Sequence, residues 1–390
     1  MIFDRHEFSP PPRIAFAAKA ALAAGGLTTA AGLAVAPERT WASLLLAALF
    51  LVGLGLAGVF FVALQYAAGA GWSVALRRVP EAMAAALPVG GVLLGLVLVL
   101  KPSLYAWTGD LAPAAHFSAF KQAWLSRPFF LARSAAYLIV WSAMAALIVR
   151  HSRRQDGDGA VAHTQANVRL SIAFRVVFGL TFWLACFDWI MSLEPEWYST
   201  IFGIYNFSGL FASGLAAMIV LLVVLTNHRS FRGVLTEAHL HDLGKLLFAF
   251  STFWMYIWFS QYMLIWYANI PEETVYYVRR LEGAWGTLFL LNMLLNWAVP
   301  FCVLLARWSK RTAWVLGYVA AVILVGRWLD LYLMVAPPIV GAKPAFGIWE
   351  TGVLLATLGL FGLVFLRALS QARVVPIRDP YLVESLHSYQ

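Results

Sequence analysis

Ten stretches of this chain stay apolar for about 20 residues at a time, and no other feature constrains its fold as strongly. A helix rises about 1.5 Å per residue, so about 20 apolar residues cross the roughly 30 Å hydrocarbon core of a bilayer. The stretches are 14–35, 42–66, 82–100, 129–149, 168–191, 198–225, 243–268, 284–306, 312–335 and 347–369. None alternates apolar and polar residues as a barrel strand would, so helices are expected. Composition agrees: 62% of the 390 residues are hydrophobic and 12% charged, against about 25% charged in soluble domains. So little charge cannot cover a water-facing surface. The expected fold is an all-α polytopic membrane protein, a single integral membrane domain over 1–390.

The basic residues orient it. Of 28 Lys and Arg, 18 fall in the N-terminal region, the even-numbered connections and the C-terminal tail, and 7 in the odd-numbered connections. The positive-inside rule then places both termini in the cytoplasm. The odd connections collect acids: Glu38, Asp110, Glu194, Glu196, Glu272, Glu273 and Glu282. A net charge of +9 would suggest nucleic acid in a soluble chain. Here basic loops against anionic lipid account for it, and no nucleic-acid partner is expected. The first stretch, with Ala34-Val35-Ala36 behind it, is longer than the 7–15 residues typical of a signal-peptide core, so a retained helix is expected.

No connection is long enough for a soluble core. His116 to Leu125 reads as an external amphipathic helix. Segment 150–167, with Asp156-Gly157-Asp158-Gly159, reads as a mobile, solvated loop. Pro376 and Pro380 make the tail, 370–390, an extended cytoplasmic segment.

Cysteine and histidine usage excludes bound redox centres. The two cysteines, Cys186 and Cys302, stand alone, so no iron–sulfur or c-haem motif exists. All eight histidines lie outside the apolar stretches, where a buried porphyrin would need them. No cofactor is expected on this chain.

Charges inside the stretches need explaining, because each costs at least ~2.5–3.5 kcal/mol at the bilayer centre. Arg133 and Asp188 fall near the external ends of stretches four and five, where antiparallel neighbours would pair them. That pair is either a helix lock or a proton-accepting carboxylate tuned by its arginine. Arg327 and Asp330 share a face of stretch nine and either neutralise each other or contribute to a proton path. Stretch seven is aromatic, with Phe250, Trp254, Trp258 and Tyr262 at four-residue steps and Gln261 beside them. Such a stripe is packing or interfacial belt, or a groove for a planar quinone ring. Glu194, Trp197, Tyr198, Gln261, Tyr262 and Tyr267 are the candidate quinol-binding residues, at the external ends of stretches five to seven. Asp188, Arg133, Asp330 and Arg327 are the candidate proton-path residues.

Several motifs resemble a known family. They are Phe187-Asp188-Trp189-Ile190-Met191-Ser192-Leu193-Glu194-Pro195, running through Trp197-Tyr198-Ser199-Thr200 to Gly203; Asp242-Leu243-Gly244-Lys245; and Phe259-Ser260-Gln261-Tyr262. Ile265-Trp266-Tyr267-Ala268-Asn269-Ile270-Pro271-Glu272-Glu273 and Pro376-Ile377-Arg378-Asp379-Pro380 with Glu384-Ser385-Leu386 complete the set. Over about 10–386 the chain resembles the ActF-type membrane subunits of alternative complex III, in the NrfD/polysulfide-reductase membrane-subunit superfamily. The resemblance implies two four-helix bundles, 42–191 and 198–335, flanked by stretches one and ten. It implies a subunit of a quinol:cytochrome c oxidoreductase in a bacterial inner membrane, using a quinone such as menaquinone. Its partners would be a homologous membrane subunit, periplasmic iron–sulfur and c-haem subunits, and membrane lipid. Within that family the quinol site is placed on the related subunit, ActC, which leaves proton handling or scaffolding to a chain of this type. Two rival readings are a secondary transporter, which predicts interrupted helices around a polar midplane site, and a structural anchor, which predicts fully paired internal charges.

Overall fold

The computed structural model describes residues 8–109, 117–226, 228, 231 and 233–386, and every regular element among them is helical. Ten long helices carry the fold: α1 (Pro12–Val35), α2 (Pro37–Ala68), α3 (Val74–Leu100), α4 (Arg127–Asp158), α5 (Val161–Trp189), α6 (Phe202–Leu225), α7 (Glu237–Ala268), α8 (Gly283–Leu304), α9 (Ala313–Val335) and α10 (Ile348–Ser370). Among the described residues nine of these are long and apolar enough to cross a membrane, the architecture of a multi-pass helical membrane protein. The exception is α7. Its 32 residues give ample length, but its Trp, Tyr and Gln residues lower its hydropathy below that of the others.

Local sequence sets the helix ends. Proline in the first turn of α1, α2 and α4 removes amides that the helix leaves unbonded. At the start of α7, Thr236 Oγ1 accepts from the His239 amide while His239 Nδ1 accepts from the Thr236 amide, a reciprocal cap. Segment 150–167 is not the loop that its Asp and Gly residues suggest. α4 runs on to Asp158, Gly159 takes φ 72°, and α5 starts at Val161. Asp158 Oδ1 accepts from the Ala160 amide at 2.9 Å and Asp156 takes Arg78 at 2.5 Å. Asp158, still exposed, thus holds a tight turn, while Asp156 is drawn in by Arg78. Of the helix expected over 116–125, Ala119–Trp124 is helical; His116 lies outside the described residues. Past α10 the tail is irregular from Gln371 to Tyr381, then closes in one helical turn, Leu382–Leu386.

α2 packs against α3 and α5, and α4 packs against both of those, closing a ring. α6, α7, α8 and α9 close a second ring in the same cyclic manner. α2 is the hinge of the whole, touching α6 and α9 of the second ring and also α1 and α10, which pair with each other. Lipid tails are as apolar as leucine, so such helices associate through close packing and small residues. At Gly55 a Cβ would meet the Leu87 backbone nitrogen at 2.5 Å, and at Gly90 that of Val52 at 2.7 Å. Any larger residue there would part α2 from α3. Phe60 fills the seam between rings, 5.2 Å from the rings of Phe178 and Phe207 and 5.3 Å from that of Phe211.

Consecutive helices run antiparallel. The connections after α1, α3, α5, α7 and α9 gather at one end, called here the odd-loop end. The opposite, terminal end carries the tail, where Asp379 binds Arg77 at 2.5 Å and Ser385 Oγ donates to the Trp72 carbonyl at 2.6 Å.

Candidate functional site

Asp188 closes α5 at the odd-loop end and is fully buried. Its carboxylate takes both Arg133 donors, Nε at 3.1 Å and Nη2 at 2.8 Å, in a forked pair. Trp124 Nε1 donates to Oδ1 at 3.0 Å and Tyr137 Oη to Oδ2 at 3.3 Å. Arg133 is equally committed: Nη1 donates to the Trp124 carbonyl at 2.9 Å, and the guanidinium lies 3.9 Å from the Trp124 ring centre and 4.3 Å from that of Phe129. A carboxylate with four donors on two oxygens has little capacity left to accept a proton. This arrangement locks α4, α5 and the Ala119–Trp124 helix together.

The candidates on the next loop form a second, separate group. Glu194 holds Arg280 at 2.6 Å and Arg279 at 3.2 Å. Arg280 is buried, donating to the carbonyls of Leu333 (2.7 Å), Met334 (3.2 Å) and Tyr276 (2.9 Å) with the Tyr276 ring 3.4 Å below it. Trp197 stacks on Tyr276 at 3.9 Å and donates to the Glu273 carbonyl at 3.1 Å. Burial pushes the Tyr276 hydroxyl upward in pKa. This clamp ties the α5–α6 connection to the helix Pro271–Leu281 and to the end of α9. Tyr198 points outward, exposed. Tyr262 and Tyr267 line an open groove of about 500 Å³ with Trp266, Asn269 and Tyr277. Gln261 turns the other way, into the second ring. One helical turn thus divides residues that are adjacent in sequence.

The third group lies inside the second ring and draws on all four of its helices. Asp330 (α9) is fully buried, and its Oδ1 accepts from Tyr205 Oη (α6) at 2.5 Å and Asn292 Nδ2 (α8) at 2.7 Å. Asn296 Nδ2 in turn donates to Asn292 Oδ1 at 2.7 Å. Asn296 sits in a π-helical turn, Leu294–Ala298, that interrupts α8; such turns recur at functional sites. Arg327 Nη1 lies 2.8 Å from Asp330 Oδ2 but is misaligned for a hydrogen bond. Several enclosed atoms here lack a hydrogen-bond partner: Asp330 Oδ2, Arg327 Nε and Nη1, Asn296 Oδ1 and Nε1 of Trp254, whose ring lies 5.4 Å from the Arg327 guanidinium. Buried polar atoms are nearly always bonded, so such a concentration is unusual. It is the opposite of the Asp188 site, where every acceptor position is filled.

Arg327 also lines a partly open cavity of about 60 Å³ at the junction of α2, α5, α6 and α9, with Asn206 and Ser213 as the other polar groups. That is room for about two water molecules. Gly209 makes space for the guanidinium, since a Cβ there would land on Arg327 Nη2. The sequence marks Arg327 and Asp330 but leaves Tyr205, Asn292 and Asn296 unremarked. The asparagine pair carried a readable signal: two amides four residues apart inside an apolar stretch.

Among the described residues no group of three or more His, Cys, Asp or Glu side chains is placed to hold a metal ion. The fold and its sites define a class, a multi-pass helical membrane protein in which the Arg133–Asp188 pair is saturated and the Arg327–Asp330 pair is open. Compared with models of known families and with curated proteins, the chain matches none.

Proposed function

We propose that this chain is a membrane subunit of a quinol-oxidising respiratory complex of the alternative complex III kind, and that it handles protons at Asp330. In this reading it carries no redox centre, α7 is a tenth crossing, and the two rings are the two four-helix bundles. Both termini lie on the cytoplasmic side of a bacterial inner membrane. Haem c and iron–sulfur clusters belong to partner subunits at the odd-loop end, and quinol is oxidised beside a homologous membrane subunit.

One observation carries the proton assignment. Asp330 Oδ2 accepts no hydrogen bond although it is enclosed, and the groups linked to it, Arg327, Trp254 and Asn296, carry unpartnered atoms as well. A carboxyl in that setting can take a proton on Oδ2 while Tyr205 and Asn292 keep hold of Oδ1. Arg327 Nη1 lies 2.8 Å from that oxygen without completing a hydrogen bond to it. Asp188 has no such opening and is assigned to assembly. The anchor reading draws its support from that saturated pair and from the Glu194 clamp.

The test starts with the tagged chain purified from its own membranes under mild detergent. Optical spectra of c-type haem and quinol:cytochrome c turnover in the co-purified material support the complex; their absence overturns it. Asp330→Asn in that complex is then expected to lower proton release or uptake per electron at intact assembly. Unchanged proton stoichiometry would reduce Asp330 to a packing charge.

A further inference from the structure

α5 carries a charge that none of the sites above uses. Arg175 lies within the apolar stretch 168–191, about 10 Å past its terminal-end boundary at a rise of 1.5 Å per residue. Arg133 and Arg327, also inside apolar stretches, each face a carboxylate at 2.8 Å. Arg175 faces none. Its Nε is enclosed without a hydrogen-bond partner, and it makes no ion pair or ring contact among the described residues. A guanidinium at that depth is costly unless something neutralises it, and the neutralising group is not among those residues.

The surface beside it is shaped for a long apolar ligand with a charged end. Helical side chains lean toward the N-terminus of their helix, so Arg175 reaches from its half-buried position toward the terminal end. One turn deeper is Gly179, exposed, where a Cβ would meet nothing within 4 Å. The glycine leaves a recess in the outer face of α5, flanked by Val176 (60% exposed) and Leu180 (69%). Trp183 closes the recess on the side away from Arg175. Its ring lies against Gly203 of α6 so closely that a Cβ there would collide with it. The exposed neighbours Ile172, Val176 and Leu180 are aliphatic, as on a face turned to acyl chains.

We propose that Arg175 binds the phosphodiester of an anionic phospholipid, one acyl chain of which lies in the Gly179 recess against Trp183. A guanidinium presents forked donors that match phosphate oxygens, and the long arginine stem lets its head meet the headgroup level from below. A singly charged anionic lipid leaves the pair neutral, whereas a zwitterionic one brings its phosphate together with a cation of its own. The site takes α5 as a membrane crossing and does not depend on the quinol reading.

Native mass spectrometry of the full chain, titrated with phosphatidylglycerol or acyl-matched phosphatidylcholine, tests this. The wild type is expected to bind its first phosphatidylglycerol more tightly than it binds phosphatidylcholine. Arg175→Gln should weaken that binding about 10-fold or more, the worth of a charge-assisted hydrogen bond. Arg175→Lys keeps the charge without the fork and should lose less. Gly179→Leu fills the recess at a position with free space around it, so it should weaken binding in a chain that folds even if an Arg175 variant does not. Arg169→Gln removes an exposed arginine from another face of the same helix and should cost no more than a general surface charge, about 5-fold. Unchanged binding in Arg175→Gln or in Gly179→Leu overturns the proposal, as does an Arg169→Gln effect as large as that of Arg175→Gln. Displacement of the lipid by millimolar inorganic phosphate overturns it too, since the site would then be one for free phosphate. So does loss of a co-purifying protein in place of lipid, which would make Arg175 the counter-charge of a partner's carboxylate.

Discussion

Asp188→Ala strands the Arg133 guanidinium, and the cost follows from what the carboxylate now does. Two of the arginine's donors, Nε and Nη2, lose their acceptor, while Nη1 stays on the Trp124 carbonyl. Removing one member of a buried pair costs about 3–5 kcal/mol because the other charge remains without compensation. Trp124 Nε1 and Tyr137 Oη lose an acceptor too, at about 1–3 kcal/mol for each group left buried and unbonded. The expected loss therefore sits at the top of the first range, about 5 kcal/mol. Adding Arg133→Met removes the stranded charge and keeps much of the side-chain volume between the Trp124 and Phe129 rings. The double variant is expected to recover most of the part due to the stranded charge, about 3 kcal/mol, while Trp124 Nε1 and Tyr137 Oη still lack their acceptor. Equilibrium unfolding of the purified chain in mixed micelles, with SDS as denaturant and tryptophan fluorescence as readout, gives all four corners of the cycle. If the single costs add to the double within about 0.5 kcal/mol, or if Asp188→Ala costs under about 1 kcal/mol as an exposed pair would, the interlocking role assigned to this pair is wrong.

Gly209→Ala should drive Arg327 out of its place beside Asp330, because the new methyl would occupy the position of Nη2; a loss of about 1–3 kcal/mol is expected in the same unfolding assay. Gly53→Ala, with nothing within 4 Å, is its neutral counterpart. Glu194→Gln removes the charge opposite Arg280 but leaves that arginine its three carbonyl acceptors. About 1–3 kcal/mol should be lost locally, seen as faster hydrogen exchange in 190–201 and in Pro271–Leu281 with little change elsewhere. His239 is held below its usual pKa by burial, which outweighs the Trp72 carbonyl and Asp242; its Nδ1 accepts from the Thr236 amide and its Nε2 lies 3.0 Å from the Trp72 carbonyl, so the folded form is neutral. The unfolded chain then binds this proton more readily, and the stability it supports is complete above the ordinary value of 6.5 and declines as pH falls below it. Protease cleavage of the tail should accelerate on acidification through that window, and His239→Gln should flatten the dependence.

The apolar stretches made the long helices legible, because burying unbonded backbone in lipid leaves a chain no cheaper option. The two intramembrane pairs were legible for a related reason: Arg133 with Asp188, and Arg327 with Asp330, are charges that cannot stand alone at that depth. What could not be read was the company they keep. Tyr205 and Asn292 reach Asp330 from α6 and α8, with Asn296 behind Asn292, and no periodicity within one helix reveals a partner on another. The π-helical turn shifts the phase of α8 part-way along, so even the face shared by its two asparagines departs from simple helical counting. The external candidates failed to gather for a reason of angle. Successive helical residues turn about 100°, which sends Gln261 inward and Tyr267 outward although six positions separate them. The acid at 156 looked solvated because side-chain type was visible and Arg78, a long way off in sequence, was not.

The pairing of α1 with α10 bears on how such a chain is made. A ribosome releases α1 before any other of these helices and α10 after all the rest, yet each is the other's main neighbour. Gly25 and Gly359 admit the opposing backbone so closely that a methyl on either would collide with it. The first helix must therefore wait in the bilayer, its glycine-lined flank open to lipid, until α10 has been made. Contacts this remote in sequence form slowly and leave incomplete chains recognisable. A truncated or stalled product would display that flank, giving membrane quality control a mark of incompleteness that the finished protein hides.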